Sequence, residues 1–576
     1  MTHHRDAIAA AEWQPPDSGW GADDVGVLIV PEVPDGSCYA LTVGLSLPGV
    51  GEVLIEADGC QGGEVLDVLY AETIDGFGRP VFANTLSPGG DAVDVCTSVV
   101  LGGGGCRHEA FQITGHRYAT VVVTGPSPAL RLRLMHRQTR YPLDIVGRFD
   151  CDDPALMQTY HVSVNTQRNC MLDAYVDTPW REQAQWWGDA RVQAWNTFSL
   201  KDDPRLLQRG IRQIADPQQS VPNGLTYGHA PTIAHNCVLP DFTCVWILTV
   251  WDHFFQTGEP NVFLEQAARI DSAIGYFESF GIGQGNLAAA DPRYWLFLDW
   301  TDGIPREGQP TLLNMMLLEA LERVGSLVQV SGYRGPLERV ETLAQTLRGT
   351  ITDRLWDEEV GAFHDGLGEQ GQPYRSWSLH SQVQAVLCSL RSDVHEKTAR
   401  EWVGAYLSGG PSGAAVPTPF WLVYVYEAAR RLGLAQEAVD HMASYYAPMV
   451  ASCGTWERSD RPGNGDVTGS HAWSAHPIYH LPRLLGGIVQ LEPGWSKIRF
   501  DPLVNVKRCR RVSTLVPTPR GSIASTWERD GSRVNVRLEL PTGIEAEAVL
   551  TGQRTEVVIG VSNWCVELSG TGVNTP

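Results

Sequence analysis

No run of residues in this sequence is long and apolar enough to span a bilayer, and its opening, Met1 to Ala11, is polar and charged, without the hydrophobic region of a secretory leader. The expected location is therefore the cytoplasm. Positive charge is scarce: 44 Lys and Arg face 66 Asp and Glu, a formal net charge of −22, which argues against a nucleic-acid backbone or an anionic membrane surface as partner. The partner should be neutral or small. Cysteine is thin as well, twelve in 576 residues from Cys38 to Cys565, with no Cys-x-x-Cys pair and no zinc spacing, so free thiols are expected. Also missing are a His-Glu-x-x-His helix, a calcium loop and a nucleotide fingerprint. The glycine run Gly102 to Gly105 follows a strand, but no phosphate-loop Lys-Ser/Thr comes after it. No metal and no cofactor are expected.

What is present divides the chain in three. A length of 576 residues exceeds what one core supports. From about residue 25 to 140, short apolar runs (Val27 to Val30, Leu41 to Leu47, Val53 to Ala57, Tyr118 to Val123) alternate with Gly, Pro and Asp, and Leu130 to Leu134 alternates cleanly. That pattern predicts an antiparallel sandwich over residues 1–145. Asp153-Pro154 then opens a helix to about Met171, and the apolar period changes from two to three or four until about Ile488. Leu337, Val340, Leu343, Leu347, Ile351 and Leu355 mark a helix with one wet face, whereas Thr311 to Val324 is apolar nearly all round. About twelve such segments, buried and half-buried in turn, suit paired helices in two concentric rings over residues 146–490. After Pro493-Gly494-Trp495, Val534, Val536, Leu538 and Leu540 alternate with polar residues, which predicts a second antiparallel sandwich over 491–576.

One stretch stands out chemically. Asp177-Thr-Pro-Trp-Arg-Glu-Gln-Ala-Gln-Trp-Trp-Gly-Asp189 packs three acids, an arginine and three tryptophans into thirteen residues. Thr178 before Pro179 reads as a helix start, with the helix running through Trp187. Glu182, Trp186 and Asp189 would then share one stripe, flanked by Asp177 and Arg181. The bland alternative is an arginine neutralising acids at a helix start. Indole faces beside fixed carboxylates instead suit a sugar, whose C–H faces stack and whose hydroxyls need anchored partners.

These residues resemble the catalytic segment of glycoside hydrolase family 78, the inverting α-L-rhamnosidases: Asp177, Pro179, Arg181, Glu182, Trp186, Gly188 and Asp189 match, while Thr178 replaces a cysteine. The resemblance implies a β-sandwich, an (α/α)6 barrel with Asp177 to Asp189 at its mouth, and a C-terminal β-sandwich. It also implies exo-acting release of terminal α-linked L-rhamnose from a small glycoside or oligosaccharide. In the family a Thr-x-Trp-Glu-Arg-like segment carries the general base, and Glu457 in Gly454-Thr-Trp-Glu-Arg458 falls on it; by residue type alone Glu457 could equally be a surface loop acid. Ser470-His-Ala-Trp-Ser-Ala-His476 resembles the segment whose histidine binds sugar, which would be His471. Asp299-Trp300 resembles a pair lining the sugar pocket, and Phe242 stands where relatives carry tryptophan. The loop from Glu457 to His471 is short and Ser459 replaces an aromatic, so the aglycone side is expected to be open.

Inversion requires a protonated acid and a separate carboxylate base. Glu182 is the expected acid, desolvated by Trp180, Trp186 and Trp187. Asp177, Arg181, Trp186, Asp189, Phe242, Trp300 and His471 are the expected sugar-binding residues, with Arg181 paired to Asp177. A glycosidase of this fold acting on another sugar, a polysaccharide lyase and a non-catalytic sugar binder remain alternatives. A lyase would want a tyrosine or histidine base and cations for a uronate, and this segment is acid-rich.

Overall fold

The computed structural model describes residues 13–14, 27–29 and 38–568, apart from 75–79, 82–94, 126–129, 232–236, 391, 412–414, 461–466 and 552. The expectations for the N-terminal opening and for the middle of the loop between Glu457 and His471 lie outside the described residues. The chain forms two compact units. One gathers residues 1–142, 165–183 and 451–472, and the other residues 143–164, 184–450 and 473–576.

The first unit is built on an antiparallel sheet. Its strands run in the order Trp13–Gln14, Val27–Ile29, Arg131–Gln138, Cys38–Cys60, Thr114–Thr124, Val65–Ala71 and Cys96–Val100, with Gly104–Glu109 also pairing on Cys38–Cys60. The long strand Cys38–Cys60 shifts register against Thr114–Thr124 between Gly44 and Gly49. Period-two alternation places Leu66, Val68 and Tyr70 inside with Val53, Ile55, Val121, Val123, Leu132 and Leu134, one continuous core. The two later segments are tied to this sheet by hydrogen bonds. Asn165 and Asn169 donate to the Pro48 carbonyl at 3.1 and 2.8 Å, and Arg117 donates to the Ser452 carbonyl at 3.0 Å.

The second unit is mainly helical. Asp153 Oδ1 accepts from the amides of Ala155 and Leu156 at 2.8 and 3.1 Å, the expected cap of the helix that starts at Pro154. Helix Thr311–Ser331 buries residues on every side and packs on Pro240–Thr257, Val340–Leu355 and Leu379–Leu387. Its successor Val340–Leu355 buries one stripe, Val340, Ala344, Leu347, Ile351 and Leu355. A fully buried helix followed by a half-buried one is the alternation read from the sequence.

The C-terminal β structure is two sheets. One orders Arg148–Cys151, Arg511–Val516, Ile523–Asp530, Arg533–Glu539 and Val561–Glu567; the other orders Ile488–Gln490, Lys497–Phe500, Glu545–Leu550 and Gln553–Val558. Arg533–Glu539 buries every second residue, as its sequence predicts. The second sheet is not wholly antiparallel, contrary to expectation: Lys497–Phe500 and Glu545–Ala548 run parallel. The chain leaves Phe500, builds three strands of the other sheet and returns at Glu545, and so long a crossover permits a parallel neighbour.

Eleven of the twelve cysteines, all but Cys38, are free thiols, six of them buried. Thiol titration of the unfolded, unreduced protein should therefore recover all twelve cysteines of the sequence; recovery of only a few would reveal disulfides.

Candidate active site

In the first unit the Asp177 to Gln183 segment does not form the expected helix. Turns occupy Pro179 to Glu182, and the helix begins only at Trp187, running to Leu200. The cause is competition for one carbonyl. A helix would give the Pro179 carbonyl to the amide of residue 183, but it accepts instead from the amide of Gly115 at 2.6 Å and from the side chain of Gln183 at 2.8 Å. Gln183 also donates to the Ile113 carbonyl at 2.6 Å and sits at φ 51°, in the left-handed region. Glu182, Trp186 and Asp189 consequently share no helical stripe. Glu182 lies in a turn, whereas Asp189 is buried in the first helical turn, where an acid suits the helix dipole.

Three stretches of chain meet around Arg181. Its Nη2 lies 3.1 Å from Glu457 Oε2 and 3.6 Å from Glu182 Oε1, with 8 % of the Arg181 and Glu457 side chains and 38 % of Glu182 exposed. The guanidinium expected on Asp177 thus serves the two glutamates. Glu457 Oε2 also accepts from the Thr468 amide at 2.9 Å and the Thr468 hydroxyl at 3.0 Å. Because that hydroxyl donates to Glu457, it accepts from His471 Nδ1, 2.9 Å away. The proton of a neutral His471 is then on Nδ1, leaving Nε2 as an acceptor. Asp177 is buried at 2 % exposure. Trp180 donates its indole N–H to the Tyr70 carbonyl at 3.1 Å, Trp187 donates to Thr249 Oγ1 at 3.0 Å, and Glu182 stays exposed.

Sequence reasoning overlooked two partners here, Thr468 and Glu72. Glu72 follows the strand Val65–Ala71, and its parity with Leu66, Val68 and Tyr70 was the available signal that it points inward. Its Oε2 accepts from the Gly469 amide at 2.6 Å. Burial, the largest influence, pushes its carboxyl up to about 7, against the opposing pull of the Gly469 amide, His471 and Arg181.

In the second unit, aromatic rings assemble from several elements. Trp186 stands 4.4 Å from His229 and 6.3 Å edge-on from Phe242. Phe242 is buried and presses on Gly188, where a Cβ would come 2.6 Å from its Cζ, so this contact demands glycine. Phe297, unmarked by any motif, joins Phe242 at 5.5 Å, Trp300 at 5.3 Å and Trp473 at 6.0 Å. Trp300 is 41 % exposed and neighbours the exposed Trp295 at 5.8 Å. Asp299, fully buried, does not present itself to solvent: it accepts from the Trp300 amide at 2.8 Å, contacts His380 Nε2 at 2.9 Å and accepts from the Thr418 amide and hydroxyl. It holds the Trp300 turn in place. Asp241 Oδ2 accepts from the Leu298 amide at 2.8 Å, and burial raises its carboxyl to about 6.

Among the described residues no helix is long and apolar enough to cross a membrane, and no cluster of three His, Cys, Asp or Glu could hold a metal.

Two family models match the chain, the bacterial alpha-L-rhamnosidase 6 hairpin glycosidase domain over residues 144–412 and the bacterial alpha-L-rhamnosidase C-terminal domain over 487–564, together more than half of it. A GH78 family rhamnosidase of Bacillus sp. GL1 superposes with a TM-score of 0.80 at 25% identity, covering 92% of this chain and 55% of that one. The Streptomyces avermitilis alpha-L-rhamnosidase, solved with L-rhamnose, superposes at 0.73 with 18% identity, covering 95% and 54%. An alpha-L-rhamnosidase of Formosa agariphila is 20% identical over 539 residues, 86% of this chain and 54% of that protein. The chain thus spans about half the length of these relatives.

A Cβ at Gly115 would meet Pro179 Cγ at 2.6 Å and its carbonyl carbon at 2.7 Å. Gly115→Ala should lower stability by about 1–3 kcal/mol, the usual range for overpacking. Urea unfolding checks it, and an unchanged midpoint would mean that the Pro179 turn yields freely.

Proposed function

We propose that this chain, which belongs to the α-L-rhamnosidases of glycoside hydrolase family 78, is an exo-acting hydrolase that releases terminal α-linked L-rhamnose from small glycosides or oligosaccharides with inversion at the anomeric carbon. The observation that carries this reading is that Glu182 and Glu457, remote in sequence, sit on the same nitrogen of one buried arginine. Glu182, the more exposed, is the general acid that protonates the departing oxygen. Glu457 is the general base, its carboxylate plane fixed by Arg181 and both Thr468 donors. It takes a proton from water as that water attacks the sugar on the face opposite the leaving group.

Nε2 of His471 is matched to a hydroxyl donor. Carried over from the family motif, Asp177 and Asp189 hold further hydroxyls, while Trp186, Phe242 and Trp300 offer apolar faces to the ring. We also assign the helices between Pro154 and Leu484 to an (α/α)6 barrel between two β domains, which the alternation of buried and half-buried helices supports.

Inverting carboxyl pairs stand about 6.5–9.5 Å apart and retaining pairs about 5–5.5 Å. Sharing one nitrogen keeps the nearest oxygens of Glu182 and Glu457 no farther apart than the 3.6 and 3.1 Å contacts laid end to end, a ceiling that admits both ranges. The choice of inversion therefore rests on the Trp-Glu-Arg motif.

Proton NMR of the first-formed sugar should show β-L-rhamnose before mutarotation; α product would assign Glu457 to a covalent intermediate. Loss of either glutamate should slow the reaction by about 10²- to 10⁴-fold. Glu182→Gln should spare activated aryl rhamnosides relative to substrates with poor leaving groups, whereas Glu457→Gln should slow both alike.

A further inference from the structure

We propose that Glu72, a residue of the N-terminal sheet outside every motif, is a positioning residue for Glu457: it clamps the Thr468–Gly469 peptide and adds a titrating charge to the cluster of Glu457, Arg181 and His471. The proposal rests on the reading of Glu457 as the base. Its geometry is a short relay. Glu72 Oε2 accepts from the Gly469 amide at 2.6 Å. One residue earlier, Thr468 directs its amide and hydroxyl at Glu457 Oε2, and its amide partner strand is fixed in turn, since the Glu457 amide donates to the Thr468 carbonyl at 3.1 Å. The peptide that Glu72 grips is thus the one that orients the base. Two residues later the His471 amide donates to the Thr455 carbonyl at 2.8 Å, which ties the same segment to the turn before Glu457.

Glu72 is too buried, at 5 % exposure, to meet a sugar itself. Its second oxygen, Oε1, is buried without a hydrogen-bond partner. An ordinary strand end would place an apolar residue there, and an unpartnered buried carboxyl oxygen is a standing liability to stability unless it serves the site. The charged and titratable groups facing it are Arg181 and His471, which favour its ionised form, and Glu457, which disfavours it. With a pKa of about 7, Glu72 is neutral on the acid side of neutrality and ionised above it. Ionisation places a second negative charge beside Arg181, which weakens the hold of that guanidinium on Glu182 as an anion. Glu182 then keeps its proton to higher pH.

Two variants separate clamp from charge. Glu72→Leu removes the acceptor of the Gly469 amide and should lower kcat by about tenfold with little change in KM, an effect on the scale of one lost hydrogen bond to a buried donor. Glu72→Gln keeps a carbonyl acceptor and should restore kcat below pH 7, yet its alkaline limb of kcat/KM should lie lower than that of the native enzyme by on the order of half a pH unit, since a like charge raises a carboxyl pKa. A purely structural Glu72 would give superimposable pH profiles for the native enzyme and Glu72→Gln, and that result overturns the proposal.

A stability cycle tests the coupling without any turnover. The folded carboxyl holds its proton up to about 7 while an ordinary glutamate loses it near 4.5, so native stability should fall as pH rises through that window, and Glu72→Gln should lack this component. Unfolding of Glu72→Gln, Glu457→Gln and the double variant should be additive at pH 5.5 and non-additive at pH 8.5, where Glu72 is ionised. Additivity at both pH values overturns the proposal even where the protein turns over a sugar other than rhamnose. Failure of the native enzyme on rhamnosides, with the cycle intact, would instead overturn the functional reading and leave the link from Glu72 to Glu457 standing.

Discussion

Arg181 is the charge around which the first unit is arranged. It is nearly buried and touches two glutamates, with a third carboxyl, Glu72, close enough to feel its field. A buried cation is stable only when paired, and removing one partner of such a pair typically costs about 3–5 kcal/mol because the other charge is stranded. The surrounding architecture follows from that demand. Gly115 gives up a side chain so that the Pro179 turn can approach, Gln183 takes a left-handed conformation, and Thr468 spends both its donors on one oxygen of Glu457.

In the second unit rigidity comes from neutral contacts and one satisfied acid. Phe242 fills the space over Gly188, Phe297 links it to Trp300 and Trp473, and Asp299 anchors the backbone of the Trp300 turn through Thr418 and His380. Leu298 accepts φ 55° within that turn while its amide is held by Asp241. The exposed tryptophan is thus set by buried neighbours, a division between display and support.

How much of this was legible in the sequence depends on whether local or distant forces decide. Alternation in Arg533–Glu539 and the stripe from Leu337 to Leu355 were readable because burial repeats with the element's own period. The parallel pair near Phe500 was not, since pairing direction depends on where a distant strand returns. Residue identities singled out the Asp177 to Asp189 segment, but its conformation was misread as a helix: Thr-Pro is a sound helix opening until Gly115, from a far strand, claims the Pro179 carbonyl. Arg181 was expected on Asp177 so that it would not oppose a proton on Glu182, whereas it meets Glu182 next door and, more closely, Glu457 from 276 residues away. Glu72 carried only the faint signal of strand parity, and Thr468 none.

Those long separations have a consequence for how the molecule is made. Contacts joining residues 276 and 397 positions apart close long loops, and such closures come late because their entropy must be met before the contact rewards it. During synthesis the N-terminal sheet can assemble early, but Glu72 and Arg181 must wait, unneutralised by their final neighbours, until the segment beyond Ala451 emerges. A chain arrested before that segment would therefore lack Glu457, Thr468 and His471, and would leave Arg181 without its nearest carboxylate.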